Sequence, residues 1–145
     1  MIRAATMKAD SGNAADAILG PALARGQAND VAIEFGDGRT TYAELNANVN
    51  RIGNAFEPHL AKGDRALLLL KDSPLFIAAF LGFIRIGAVS VPLSTRLSAA
   101  DLAFVMRDSE AKVLLIDDEF LPLLRDACAA GGNSPQLVVV RGRPE

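Results

Sequence analysis

The sequence predicts an α/β protein: a mostly parallel sheet with flanking helices, preceded by a β-hairpin. Three observations predict it. Apolar runs recur as "RALLLL", "AVSVPL", "KVLLI" and "LVVV". They begin roughly two dozen residues apart, about the length of one strand–helix unit. The segments between them carry apolar residues at helical spacing. The runs themselves are continuously apolar, as expected where both faces of a sheet are covered. Strands alternating with helices fold as a parallel sheet with right-handed crossovers. At 145 residues, half of them hydrophobic and 22% charged, the chain suffices for one buried core.

The elements follow in chain order. "MIRAATMKADSGN" has scattered basic residues and no apolar stretch, so residues 1–12 read as a flexible arm and not a signal peptide. Asn13-Ala-Ala-Asp16 caps a helix through Ile18 and Leu19, which Gly20-Pro21 interrupts or kinks. Val31, Ile33 and Phe35 alternate with Ala32 and Glu34, and Gly36-Asp37-Gly38 turns the chain into a hairpin. Thr41-Tyr42-Ala43-Glu44 is a capping box. The helix it opens has Tyr42, Leu45, Val49, Ile52 and Phe56 on one face, and Pro58 ends or bends it.

The parallel sheet begins with a strand from Arg65 to Leu70. Ser73-Pro74 then starts a helix that runs to about Ile86 and stops at Gly87. A second strand covers Ala88 to Leu93. A helix from Ser98 to Ser109 turns Leu102, Val105 and Met106 inward. A third strand covers Lys112 to Ile116. The helix from Glu119 to Ala130 ends at Gly131-Gly132, and Leu137 to Val140 is a fourth strand.

Composition excludes several classes of function. A formal net charge of −2 argues against nucleic acid as a partner. The single cysteine, Cys128, rules out an internal disulfide and fits a reducing compartment. The longest apolar run, "PLFIAAFLGFI", is broken by Arg85 and is too short to span a bilayer. A soluble, cytoplasmic protein without a membrane partner is expected.

Catalytic constellations are absent from the sequence. It has no Gly-x-Gly-x-x-Gly, no phosphate loop, no Cys-x-x-Cys, no histidine pair and no nucleophile elbow. His59 reads as a structural histidine at a helix end, and Cys128 as a packed small side chain. "VLLIDDE" resembles the strand and acidic pair of response-regulator receiver domains, which hold Mg2+. In a receiver that strand comes first and a phosphoacceptor aspartate follows two strands later. No residue after Asp118 plays that part, so Asp117 and Asp118 are expected to cap the next helix. No catalytic residue and no metal ligand is assigned.

In open parallel sheets, ligands bind beyond the carboxyl ends of the strands. Those ends are Lys71-Asp72-Ser73, Ser94-Thr95-Arg96, Asp117-Asp118-Glu119 and Arg141-Gly142. Arg96 therefore lies on the rim, as a solvated loop charge or as an anion ligand.

The order of segments resembles the N-terminal part of the adenylate-forming enzymes: acyl- and aryl-CoA synthetases, luciferases and peptide-synthetase adenylation domains. The marks are Thr-Tyr-x-Glu-Leu at Thr41 to Leu45, Gly-Asp-Arg at Gly63 to Arg65, "AAFLGFIRIGAVSVPL", and Arg-Leu-x-x-x-Asp-Leu at Arg96 to Leu102. "NAADAIL", "LLLLKDSPLFIAAFLG" and "SAADLAFVMRDSEAKVLLID" are most similar to benzoate-type CoA ligases.

The resemblance implies that residues 13–145 are an N-terminal fragment of an AMP-binding domain, without its phosphate loop and C-terminal lid domain. It implies a parent enzyme that uses ATP, Mg2+ and CoA on a carboxylic acid, aromatic if benzoate-like. The acid and ATP give an acyl-adenylate and pyrophosphate, and the CoA thiolate then displaces AMP. None of these ligands is expected to bind the fragment tightly, and the fragment alone is expected to be inactive. A homodimer through exposed core surface is also expected.

For Arg96 the resemblance implies a contact with the phosphorylated nucleotide end of CoA, since a guanidinium fork suits phosphate. Thr41, Glu44, Gly63 and Asp64 match family marks but read as caps and turns. The alternative is a stand-alone, non-catalytic α/β binding or interaction module.

Overall fold

The computed structural model describes residues 12–142, so the arm expected over residues 1–12 lies outside the described residues except for Gly12. The first helix, α1 (Ala14–Ala24), is capped by Asn13, whose Oδ1 accepts from the Ala15 N–H at 3.0 Å. Pro21 lies inside α1 and does not interrupt it. Its missing N–H strands one carbonyl, and burial of Ala15, Leu19 and Ala22 on one face offsets that loss.

The hairpin pairs β1 (Val31–Phe35) with β2 (Gly38–Thr41) in antiparallel fashion around Gly36, whose φ is 57°. The register slips between Val31 and Ile33, so the alternation does not produce one buried face. Val31 and Phe35 are exposed, while Ala32 and Ile33 pack inward together. The predicted capping box opens α2 (Tyr42–Phe56). The Thr41 N–H donates to Glu44 Oε2 at 2.8 Å, and the Glu44 N–H donates to Thr41 Oγ1 at 3.2 Å. At Pro58 the α-helix has given way to a 3-10 turn, Glu57–His59.

Next come β3 (Arg65–Leu69), α3 (Pro74–Arg85), β4 (Val89–Pro92), α4 (Ala99–Ser109), β5 (Val113–Asp117), α5 (Leu121–Ala129) and β6 (Leu137–Arg141). The four strands form one parallel sheet in the order β4-β3-β5-β6. Successive residues of each strand face opposite sides. Ala66, Leu68, Val113 and Leu115 meet Phe56 of α2 and Phe83 of α3. Leu67, Leu69, Leu114 and Ile116 meet Leu102 and Met106 of α4 and Leu124 of α5. The chain leaves β3 toward β4, then crosses back to β5 on the other side of β3. That reversal places a topological switch point between β3 and β5.

α2 and α3 approach closely at two buried glycines. A Cβ on Gly82 would stand 3.0 Å from the Val49 carbonyl oxygen, and one on Gly53 would stand 3.2 Å from Ile86 Cγ2. Phe56 and Phe83 meet edge to face beside this contact, with ring centroids 5.0 Å apart. Arg85 ties the helical layer together: it donates to Asn46 and Asn50 of α2 and pairs with Asp16 of α1 at 3.2 Å. Among the described residues, no helix is long and apolar enough to cross a membrane.

Candidate functional site

The carboxyl rim of the sheet carries a charged network at the switch point. Asp117, the last residue of β5, is 2% exposed. The last rung of the β5–β6 ladder sets it opposite Arg141. The guanidinium closes on the carboxylate as a fork: Nη2 donates to Oδ2 at 2.6 Å, and Nε pairs with Oδ1. The Lys71 N–H, just past β3, donates to the same Oδ2 at 2.8 Å. Arg141 Nη1 also donates to Ser73 Oγ at 2.8 Å, and that oxygen accepts from the Phe76 N–H to cap α3. One carboxylate thus joins the ends of β3, β5 and β6 and the start of α3. At the surface, Lys71 Nζ pairs with Glu119 at 2.8 Å.

This corrects the expectation that Asp117 caps the next helix. Its side chain makes no capping hydrogen bond. A 3-10 turn, Asp118–Phe120, intervenes, and α5 starts at Leu121 instead of Glu119, with no side-chain cap. The buried carboxylate takes the cation and N–H delivered by its neighbouring strands, which outbid a local turn. Cys128 is also corrected, because it is exposed on α5 and not packed. His59 is exposed at the end of the 3-10 turn.

Beside this network, a cavity of about 500 Å³ opens between the ends of β3 and β4. Apolar Leu70, Phe76 and Leu93, polar Ser94 and Thr95, and charged Lys71 and Asp72 line it. Arg96 follows Thr95 on the next turn. That turn is fixed by the Arg96 N–H on Ser94 Oγ at 3.2 Å and the Leu97 N–H on the Ser94 carbonyl at 3.3 Å. It runs into a second capping box, in which Ser98 Oγ donates to Asp101 Oδ2 at 2.6 Å. The Ser98 hydroxyl, and then its N–H, hold the Asp101 carboxyl below its ordinary value. The backbone is thereby pinned on both sides of Arg96. The side chain itself is exposed, and it makes no ion pair among the described residues.

Arg96 is therefore presented and free, whereas Arg141 is committed. The turn presents the Arg96 guanidinium to an anionic group, and the cavity beside it carries both the Lys71 ammonium and the Asp72 carboxylate. They hold no nucleophile paired with a base. Two of the four rim carboxylates are already engaged: Asp117 by Arg141 and the Lys71 N–H, and Glu119 by the Lys71 ammonium. Among the described residues, no group of three His, Cys, Asp or Glu side chains stands where it could hold a metal. Gly63, with φ 87°, and Asp64, which accepts from the Ala61 N–H at 2.8 Å, form a turn at the opposite end of β3.

Residues 22–143 match the family of AMP-binding enzymes. The chain is 46% identical over 134 residues to a 3-hydroxybenzoate–CoA ligase of Aromatoleum sp. (strain CIB), covering 92% of this chain and 25% of that protein. It is 47% identical over 131 residues to a 3-hydroxybenzoate–CoA/4-hydroxybenzoate–CoA ligase of Thauera aromatica, covering 90% and 25%. The anthranilate CoA ligase AuaEII, solved with anthranoyl-AMP, superposes with a TM-score of 0.81 at 30% identity, over 89% of this chain and 25% of that one. The chain thus spans about a quarter of the length of the relatives it matches.

Proposed function

The chain belongs to the AMP-binding enzyme family, and on that premise we propose that it is the N-terminal part of an ATP-dependent acid–CoA ligase acting on an aromatic carboxylic acid. The observation that carries this reading is the 46% and 47% identity to two hydroxybenzoate–CoA ligases over at least 90% of the chain. The reaction has two halves. A carboxylate oxygen attacks the α-phosphorus of ATP, giving an aroyl-adenylate and releasing pyrophosphate. The CoA thiolate then attacks the aroyl carbon and displaces AMP. The enzyme is cytoplasmic in this reading, and residues 13–145 alone are inactive.

This segment supplies framework and one binding group. Arg96 stands free on a pinned turn beside the cavity, and its guanidinium holds the phosphorylated nucleotide end of CoA. A lost charge-assisted hydrogen bond is worth about 1.5–3 kcal/mol, roughly a tenfold or larger change in binding. In the complete enzyme, Arg96→Ala raises the KM for CoA by about tenfold and leaves adenylate formation intact. Equal loss in both half-reactions shows Arg96 to be structural. The substrate class is read by ATP–pyrophosphate exchange in the complete enzyme. Benzoate or a hydroxybenzoate supports the fastest exchange; exchange driven only by aliphatic acids overturns the aromatic reading.

A further inference from the structure

Among the described residues, Asp117 is the one buried polar or charged residue. The four residues before it in β5, Val113 to Ile116, are apolar and buried as well. A buried ion pair is a poor stabiliser, since apolar side chains of the same volume often serve as well or better. Its place on the rim, where sheets of this kind take their ligands, points to a use other than stability.

The partners of Asp117 gather on one wall of the rim cavity. Residues 71–73 leave β3, and Lys71 and Asp72 line that wall together with Phe76 of α3. Asp117 Oδ2 takes the Lys71 N–H from 46 residues away in the chain. Arg141, held by the Asp117 fork, donates to Ser73 Oγ from 68 residues away. The Ser73 hydroxyl is then fully used: it donates to the Lys71 carbonyl at 3.2 Å and accepts from Arg141 and from the Phe76 N–H. The backbone on both sides of Asp72 thus hangs on one carboxylate, while Asp72 itself makes no ion pair among the described residues. The turn that carries Arg96 is held differently. Its bonds lie within residues 94–101, and none comes from β5 or β6.

We propose that Asp117 is a positioning residue: through the Lys71 N–H and Arg141 it sets the Lys71–Ser73 wall of the cavity against the Arg96 turn, and so governs CoA binding without touching CoA. This rests on the reading of the chain as part of a CoA ligase in which Arg96 holds CoA. The two walls are set independently, so loosening the first leaves the Arg96 turn in place. The effect therefore falls on the CoA step and not on adenylate formation.

Steady-state kinetics of the complete enzyme test this. Asp117→Asn keeps the side-chain shape and removes the charge that holds Arg141. It is expected to raise the KM for CoA about tenfold and to leave ATP–pyrophosphate exchange with the aromatic acid within about twofold of the parent. Ser73→Ala cuts the same network at the cavity, away from the buried carboxylate, and is expected to raise the KM for CoA in the same way. Gly82→Ala strains the α2–α3 contact and is expected to leave that KM unchanged, which separates positioning from general loss of stability. An unchanged KM for CoA in folded Asp117→Asn overturns the proposal. So does an equal fall in both half-reactions, or an equal rise in KM in Gly82→Ala. Where Asp117→Asn does not fold, Ser73→Ala decides by the same criteria. A parent enzyme that forms no thioester overturns the ligase reading and this proposal together; in an active parent, the outcomes above overturn this proposal alone.

Discussion

At Asp117, one buried side chain joins three strand ends through the Lys71 N–H and the Arg141 fork. The two partners are not equally costly to remove. Arg141→Met leaves a buried carboxylate without its counter-charge and costs about 3 kcal/mol. Asp117→Asn costs less, about 2 kcal/mol, because the partly exposed Arg141 head can rehydrate. Urea denaturation of both variants checks the order. The sequence showed an acidic pair after an apolar strand but not this partner. Capping is a local signal, whereas Arg141 reaches Asp117 only through strand pairing. Arg96, by contrast, was legible as a rim residue, since its place follows from strand and turn alone.

The capping carboxylates make a pH prediction. Hydrogen bonds from Thr41, the backbone donor first, lower Glu44 from 4.5, and those from Ser98 lower Asp101 from 3.8. A lowered carboxyl pKa stabilises the fold above the ordinary value, and that stability is lost as pH falls through the folded-state value. Glu44→Gln with Asp101→Asn therefore lowers Tm at pH 7, and the difference from the parent chain shrinks as pH drops below those ordinary values. A thermal-melt series across that range checks it.

Between elements, the α2–α3 contact makes the clearest prediction. Gly82 is buried, and a Cβ there meets the Val49 carbonyl oxygen at 3.0 Å and Ile52 Cγ2 at 3.1 Å. Alanine favours a helix over glycine by about 1 kcal/mol, but the backbone of α2 cannot yield cheaply. Gly82→Ala is expected to destabilise by about 1–3 kcal/mol. Asn54→Ala, on the exposed side of α2, stabilises by about 0.5 kcal/mol. Melting the two variants side by side separates packing from propensity. Element identity was readable throughout, because caps and apolar runs are local. The passage of α1 through Pro21 was not, because it depends on α1 burying Ala15, Leu19 and Ala22. Strand order was not readable either, since nothing local says that β5 crosses back over β3.

At the scale of the whole molecule, the described residues place a free arginine and a cavity on the carboxyl rim of the sheet. In the proposed reading the chemistry belongs to polypeptide outside this chain, which covers 25% of the curated relatives it matches. The most direct measurement is a parallel assay for aroyl-CoA by mass spectrometry, with benzoate and hydroxybenzoates, ATP, Mg2+ and CoA. The 145-residue chain and the complete enzyme are compared. The account predicts thioester from the complete enzyme and none from the chain alone. Thioester from the chain alone, or none from the complete enzyme with any aromatic acid, contradicts it.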